Sequence, residues 1–130
     1  MQPGTALTPI RVLIADDSTL IRETILKIFR HEPKLVFVGE AQDYRQLIEK
    51  VQRGRPDVVL LDMHMPGRSD FDPAFIKATI SGVAILCMSI WQDESTQMLA
   101  REYGCTLIDK TNLLLDLVPA VEEAVRSRTN

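Results

Sequence analysis

Apolar residues follow two patterns that alternate along this chain. Short apolar runs are typical of strands buried on both faces of a sheet. The segments between the runs carry an apolar residue every three or four positions, which is typical of helices covering a sheet. The pattern therefore predicts five strands, each followed by a helix. The predicted strands lie at residues 10–15, 35–41, 58–61, 83–89 and 106–108.

Most of the predicted helices have a recognisable start or stop signal. Ser18, Asp43 and Asp72 are predicted to start helices, because their short polar side chains can accept a hydrogen bond from the first helical turn, and Asp93 or a neighbouring residue is predicted to start the fourth helix. Pro73 follows Asp72 and fits the first position of a helix. Gly54 is predicted to end the second helix.

The last helix presents an apolar face and one difficult residue. Pro119 is unfavourable in the middle of a helix, but it fits the first turn, where N–H groups lack helical partners. We therefore predict that Asp116 caps this helix and that residues 111–115 form a looser turn. The predicted apolar face consists of Leu114, Leu117, Val118, Val121 and Val125.

Alternating strands and helices predict an α/β fold. The natural architecture is a doubly wound, five-stranded parallel sheet of order 2-1-3-4-5, a flavodoxin-like three-layer sandwich. The 130 residues fit one domain, and no internal linker or repeat divides them. We predict a flexible leader at residues 1–9, a single domain at 10–127 and a short tail at 128–130.

Composition excludes several classes of protein. The net charge of −3 does not favour a surface that binds nucleic acid directly. No secretory signal is visible, and no apolar run approaches the ~20 residues of a membrane span. Cys87 and Cys105 have neither zinc-like spacing nor a disulfide framework, so both are predicted to be thiols in or near the core. A reducing, cytoplasmic location fits these features.

Polar side chains follow four of the five predicted strands. Asp16 and Asp17 come after the first strand, Asp62 ends the third, Ser89 ends the fourth, and Lys110 follows the fifth. In a parallel sheet of order 2-1-3-4-5, these four strands are neighbours. Their carboxyl ends meet at the edge where ligands bind in such folds. We expect all five side chains to converge there.

These residue types indicate phosphoryl chemistry. Three close carboxylates repel one another unless a cation lies between them, and a site of oxygen ligands suits Mg²⁺. A lysine and a hydroxyl could contact phosphate oxygens, because phosphoryl transfer needs mainly positioning and charge neutralisation. Asp62 is the best candidate nucleophile, since carboxylates can form aspartyl-phosphates.

Each residue also has a structural interpretation. A single aspartate at a strand end is often a turn residue, and the Asp16–Asp17 pair could simply favour the start of the first helix. Lys110 could be a surface charge. His64 fits a turn better than a metal site, because no His or Cys lies at a useful spacing. The joint placement of five polar residues favours a functional site.

With these residues the chain resembles the receiver domains of two-component response regulators, over residues 10–127. The type is similar to receivers often joined to helix-turn-helix output domains. The motifs that carry the resemblance are Asp16-Asp17, Leu60-Leu61-Asp62 with Met65-Pro66-Gly67, Ser89 and Lys110.

The resemblance implies a role for each site residue. Asp62 would accept a phosphoryl group from a phosphohistidine on a sensor kinase or phosphotransfer protein. Asp17 and Asp62 would bind Mg²⁺ directly, Asp16 would act through water, and the backbone carbonyl of His64 would complete the protein ligands. The phosphate oxygens would be held by Ser89 and Lys110.

The resemblance also implies partners. Phosphorylation would remodel the face formed by the fourth helix, the fifth strand and the fifth helix. That face would bind a downstream protein or an output domain, and a homodimer could form on phosphorylation. The domain would not be an enzyme, apart from weak self-phosphorylation and autodephosphorylation. The chain could stand alone or belong to a longer regulator.

Four positions depart from the family pattern. Leu107 replaces the usual aromatic residue of the fifth strand, Thr111 replaces a proline, and Asp70 stands where a glycine is common. Ile90 replaces a small residue, and with Trp91 beside it we predict restricted access to the phosphoryl group.

Other functions remain open from the sequence. A Mg²⁺-dependent phosphohydrolase with an aspartyl nucleophile is the main alternative, although His64 stands where such enzymes carry a second acid. A nucleotide or flavin module would need a glycine-rich loop after the first strand, and Asp16 and Asp17 occupy that place. A receiver that never accepts phosphate is the remaining possibility.

Overall fold

The computed structural model of the protein describes residues 8–67 and 72–128. Within these ranges, five parallel strands alternate with five helices, as the apolar pattern predicts. The elements in chain order are β1 (Ile10–Ala15), α1 (Thr19–Phe29), β2 (Leu35–Ala41), α2 (Tyr44–Gly54), β3 (Val58–Asp62), α3 (Pro73–Thr79), β4 (Ala84–Ser89), α4 (Glu94–Tyr103), β5 (Leu107–Asp109) and α5 (Leu113–Ser127).

The sheet has the order β2-β1-β3-β4-β5, which confirms the predicted flavodoxin-like α/β fold. The central strand β3 is buried at all five positions. Successive side chains of a strand point to opposite faces, so β3 contributes to two cores. Val59 and Leu61 pack with α2, α3 and α4, whereas Val58 and Leu60 pack with α1 and α5.

The N-cap residues behave as their side chains predict. Ser18, Asp43 and Asp72 each accept a backbone N–H bond from the first turn of their helix, at 3.2, 2.8 and 2.8 Å. Asp93 occupies the N-cap position of α4, but its carboxylate accepts a hydrogen bond from the Thr96 hydroxyl instead of a backbone N–H. All four predicted helix starts are therefore confirmed.

The end of α2 uses an arginine where a glycine is expected to turn the chain. Gly54 is the last helical residue, as predicted, but Arg55 adopts the left-handed conformation with φ 46°. The guanidinium of Arg11 donates to the carbonyls of both residues, at 2.9 and 2.7 Å. These bonds satisfy carbonyls that a helix end leaves without helical partners.

The start of α5 differs from the prediction. A 3₁₀ turn at Lys110–Asn112 leads directly into a helix that begins at Leu113, so the prediction that Asp116 caps the helix is wrong. Leu113 and Leu117 are buried and anchor the first turn to the core. Leu114, predicted to face the core, is 80% exposed. Core packing therefore decides where the helix begins.

Pro119 consequently lies inside α5. A proline there has no N–H to donate to the carbonyl four residues earlier, which belongs to Leu115. Leu115 and Pro119 are both exposed, so the missing hydrogen bond lies on the solvent side of α5. The solvent-facing position makes the proline tolerable in the helix interior.

The two cysteines form a disulfide, so the prediction of two core thiols is wrong. Their Cα atoms are 6.2 Å apart, within the range that a disulfide can bridge. Cys87 lies on β4, and its N–H donates to the carbonyl of Thr106, directly after Cys105. Neighbouring strands therefore bring together two residues that are 18 positions apart in the chain.

Some predictions fall outside the described residues. These include most of the predicted leader, Asp70 and the last two residues of the tail; Thr8 and Pro9 are described and are exposed. In the part of the chain that the structure describes, no helix is long and apolar enough to cross a membrane.

Candidate functional site

The sheet order brings together the strand ends that carry the predicted site. β1, β3, β4 and β5 are consecutive neighbours, and all run in the same direction. Asp62 and Ser89 are the last residues of β3 and β4, and Asp16 and Lys110 directly follow β1 and β5. These residues therefore lie at the carboxyl edge of the sheet.

Three carboxylates meet at this edge. One oxygen each from Asp16, Asp17 and Asp62 lies within 4.8 Å of the other two. The side chains of Asp16 and Asp62 are buried, whereas Asp17 is exposed to solvent. Three negative charges at this spacing require neutralisation by a cation or by protonation.

Lys110 supplies one positive charge to the cluster. Its Nζ lies 2.7 Å from Asp16 Oδ2 and 3.1 Å from Asp62 Oδ1. The lysine side chain is only 9% exposed, so this cation is held among the acids and does not extend into solvent. Lys110 therefore bridges the two buried carboxylates.

The environment of Asp16 is unfavourable for its charge. Burial raises the pKa of this carboxyl, and repulsion from Asp62 acts in the same direction. The Lys110 ammonium and the Ser18 N–H, which donates to Oδ1 at 2.8 Å, oppose the rise. Oδ2 has the Lys110 ammonium as its partner at 2.7 Å. The charge of this buried oxygen is therefore balanced by a cation that the chain itself supplies.

Arg22 supports the backbone of Asp16 through a buried hydrogen bond. It lies on the buried face of α1 and donates from Nη1 to the carbonyl of Asp16 at 2.8 Å. Its Nε forms an ion pair with Glu40 at 3.0 Å. Our sequence reasoning missed Arg22, although a charged residue aligned with the apolar positions Ile25 and Phe29 was a usable signal.

The turn after β3 orients Asp62. The carboxylate of Asp62 accepts a hydrogen bond from the backbone N–H of His64 through Oδ1, at 3.0 Å. The N–H of Met63 continues the pairing with β4 by donating to the carbonyl of Met88 at 3.0 Å. The acid is therefore held between its own turn and Lys110.

Ser89 is buried, and its hydroxyl already has two partners. The backbone N–H of Trp91 donates to Oγ at 2.8 Å, and Nε2 of His64 lies 3.2 Å from the same oxygen. The hydroxyl can donate to this imidazole nitrogen only if that nitrogen carries no proton. Sequence reasoning missed this contact between His64 and Ser89, because the two residues are 25 positions apart.

A family comparison agrees with this arrangement. The family model described as "Response regulator receiver domain" matches residues 12–121. The chain belongs to the receiver domain family of response regulators. The match confirms the resemblance inferred from the strand-end residues, and the acidic cluster is typical of the phosphoacceptor site of such receivers.

Two curated proteins illustrate the kinds of relative that this receiver has. It is 34% identical to the transcriptional regulatory protein PdtaR of Mycobacterium tuberculosis over 121 residues, 92% of this chain and 58% of that protein. It is 42% identical to a protein-glutamate methylesterase/protein-glutamine glutaminase of Anaeromyxobacter dehalogenans over 64 residues, 49% of this chain and 18% of that protein. The receiver thus spans less than two thirds of either relative.

A solved structure shows the same fold. The signal receiver domain of the putative response regulator NarL from Mycobacterium tuberculosis superposes with a TM-score of 0.82 at 26% identity. The alignment covers 92% of this chain and 98% of that domain. The structural similarity therefore extends over nearly the whole receiver.

Proposed function

We propose that Asp62 accepts a phosphoryl group from a phosphohistidine of a sensor kinase or phosphotransfer protein, in a Mg²⁺-dependent reaction. The main support is the convergence of Asp16, Asp17 and Asp62, with Lys110 paired to two of them. Asp62 is the acid at the end of the central strand and is only 4% exposed.

The donor set fits a magnesium ion. Asp17 and Asp62 would bind it directly, Asp16 would act through water, and the backbone carbonyl of His64 would be a further ligand. Three carboxylates with oxygens within 4.8 Å of one another share one lysine, so a further cation would neutralise the remaining negative charge. When bound, the ion would neutralise charge on the acids and on the phosphoryl oxygens.

The transfer itself requires little covalent chemistry from the protein. An oxygen of the Asp62 carboxylate attacks phosphorus while the phosphorus–nitrogen bond of the donor histidine breaks, and the nitrogen keeps the electron pair. Lys110 is already beside Asp62 and would follow the new phosphoryl oxygens. Ser89 would donate its hydroxyl to one of them, exchanging its contact with His64 for this bond.

Phosphorylation would alter the surface formed by α4, β5 and α5. Met98 is 51% exposed on α4, and Leu107 on β5 is partly exposed, so this surface offers apolar contacts. We propose that it binds a downstream protein or an output domain, or a second copy of the chain after phosphorylation. This receiver would act in the cytoplasm and would not itself bind nucleic acid.

Incubation with Mg²⁺ and acetyl phosphate tests the phosphorylation. Wild-type protein should gain the mass of one phosphoryl group, and Asp62→Asn should not. Asp43→Asn is the matched control, because it neutralises a carboxylate that follows β2 at the same sheet edge and lies outside the acidic cluster, and asparagine can still cap α2. No gain in mass would contradict the proposal, and turnover of a small phosphoester without a phosphoprotein would favour the hydrolase.

The only tryptophan provides a second readout. Trp91 is 57% exposed, and its backbone N–H donates to Ser89 Oγ. Movement of Ser89 should therefore change the fluorescence of Trp91. Beryllofluoride with Mg²⁺, a mimic of the phosphoryl group, should produce this change in wild type. Asp62→Asn should abolish it. An equal change in that variant would show that the signal does not report on the acid.

A further inference from the structure

We propose that Cys87 and Cys105 form a reversible redox site, which exchanges with a small anionic thiol through Cys105 and fastens β5 when oxidised. The two residues are bonded across the last pair of strands in the sheet. A disulfide in a cytoplasmic protein is usually redox-active and not a permanent structural bond. The cytoplasmic location and the effect of the disulfide on the phosphoryl site rest on the proposed function, whereas the thiol chemistry of the two cysteines does not.

The two cysteine residues differ in exposure to solvent. Cys87 is fully buried in the core between β4 and α4, whereas Cys105 is partly exposed. Cys105 also lines a cavity of about 380 Å³ at the amino end of β4, which is the end opposite the acidic cluster. Because thiol exchange requires access to the attacked sulfur, a small thiol can reach Cys105 but not Cys87.

The same cavity has a lysine beside Cys105. Its charged lining residues are Lys77, Glu123 and Arg128; Arg128 is paired with Asp57, and Glu123 is paired with Arg126. The ammonium of Lys77 lies close to Gly104, the residue before Cys105. A Cβ atom placed on Gly104 would be 3.4 Å from Lys77 Nζ. A cation at this position favours the approach of a thiol that bears carboxylates, such as glutathione.

The exchange is balanced. In reduction, a glutathione thiolate attacks the Cys105 sulfur, the bond to Cys87 breaks, and the Cys87 thiolate takes up a proton. A second glutathione thiolate then attacks the glutathione sulfur of the mixed disulfide and releases Cys105. Two cysteine thiols and one glutathione disulfide result, so two electrons pass to the protein. Oxidation by glutathione disulfide is the reverse.

The bond joins the two strands that hold the proposed phosphate contacts. Cys87 precedes Ser89 by two residues on β4, and Cys105 lies just before β5, which leads to Lys110. β5 pairs with β4 at only three positions and is an edge strand of the sheet. Loss of the disulfide should loosen β5 and, with it, the position of Lys110.

Single-cysteine variants test the exchange. With glutathione disulfide, Cys87→Ala should form a mixed disulfide on Cys105 at least about tenfold faster than Cys105→Ala forms one on Cys87. Cys87→Val, which fills the buried space better, should behave as Cys87→Ala does. Wild type should lose both thiols to an internal disulfide and regain them with glutathione. Equal rates in the two single variants, or wild type that keeps both thiols, would overturn the proposal.

Binding of beryllofluoride with Mg²⁺ tests the coupling. Reduced wild type should bind about fivefold more weakly than oxidised wild type, a typical size for coupling between two sites. Cys105→Ala should bind beryllofluoride with the affinity of the reduced wild type, and this affinity should not depend on the redox conditions. Equal affinity in the two wild-type forms would refute the coupling. Failure of both forms to bind would contradict the proposed function, while the thiol results would still decide the redox site.

Discussion

Replacement of Arg22 by methionine should destabilise the receiver through one buried hydrogen bond. Methionine keeps the apolar stem of the side chain but removes the guanidinium, which donates to the carbonyl of Asp16 and, at 3.3 Å, to the hydroxyl of Thr19, and pairs with Glu40. The hydrogen bond to Asp16 and the ion pair with Glu40 differ in their environment. The Arg22 side chain is 10% exposed and that of Glu40 is 40% exposed, so solvent screens the ion pair more than the hydrogen bond.

These environments set the expected magnitude. A hydrogen bond from a charged donor to a buried carbonyl contributes about 1.5–3 kcal/mol. An ion pair with a partly exposed partner contributes about 0.2–1 kcal/mol. Arg22→Met should therefore lower the free energy of unfolding by about 2–4 kcal/mol, whereas Glu40→Gln should lower it by less than about 1 kcal/mol.

Urea unfolding without Mg²⁺, followed by circular dichroism, measures both effects. With a slope of about 2 kcal/mol/M, Arg22→Met should lower the midpoint by about 1–2 M without changing the slope. An equal loss in Glu40→Gln would refute the reasoning, because the ion pair would then carry the stability. A loss below about 0.5 kcal/mol in Arg22→Met, which is typical of an ordinary surface position, would also refute it.

Three further predictions concern other parts of the receiver. Burial raises the pKa of Asp16 above its unfolded value of 3.8, so the native protein binds more protons than the unfolded chain. The free energy of unfolding, measured in chelator, should therefore fall as pH rises from about 4 through the raised pKa. Asp16→Asn should flatten this slope in a denaturation series, and an unchanged slope would assign the effect to another group. Ile90→Ala should shorten the lifetime of phosphorylated Asp62, measured as phosphate release, because it opens access to the phosphoryl group; a lifetime at least as long as that of wild type would contradict this. Pro119→Ala should raise the unfolding free energy by at least about 1 kcal/mol, since it restores a helical N–H in the interior of α5, and a loss of stability would show that the proline is adapted to its site.

The acidic cluster was predictable because its placement is local. Asp62 stops a buried apolar run, and Asp16 follows another, so each position depends only on where a strand ends. The parallel order of the strands then brings these ends to one edge. Capping by Ser18, Asp43 and Asp72 was predictable for the same reason, since each acts within its own helical turn.

Contacts between distant segments were not predictable in this way. Hydrophobic periodicity indicates which face of an element is buried, but not which side chain it meets. The Cys87–Cys105 bond, the contact of His64 with Ser89 and the support of Asp16 by Arg22 depend on how neighbouring elements pack. The start of α5 belongs to the same group, because burial of Leu113 outweighs the local preference for a cap at Asp116.

The sequence by itself determined the fold class, the order of the strands and the set of residues that form the acidic edge. Each of these follows from short-range patterns combined with a general rule for parallel sheets. Only the tertiary structure decided that Lys110 bridges Asp16 and Asp62, and that the cysteines meet across β4 and β5. The physical reason is that such contacts depend on the packing angles and distances between elements, which the periodicity of a single chain does not encode.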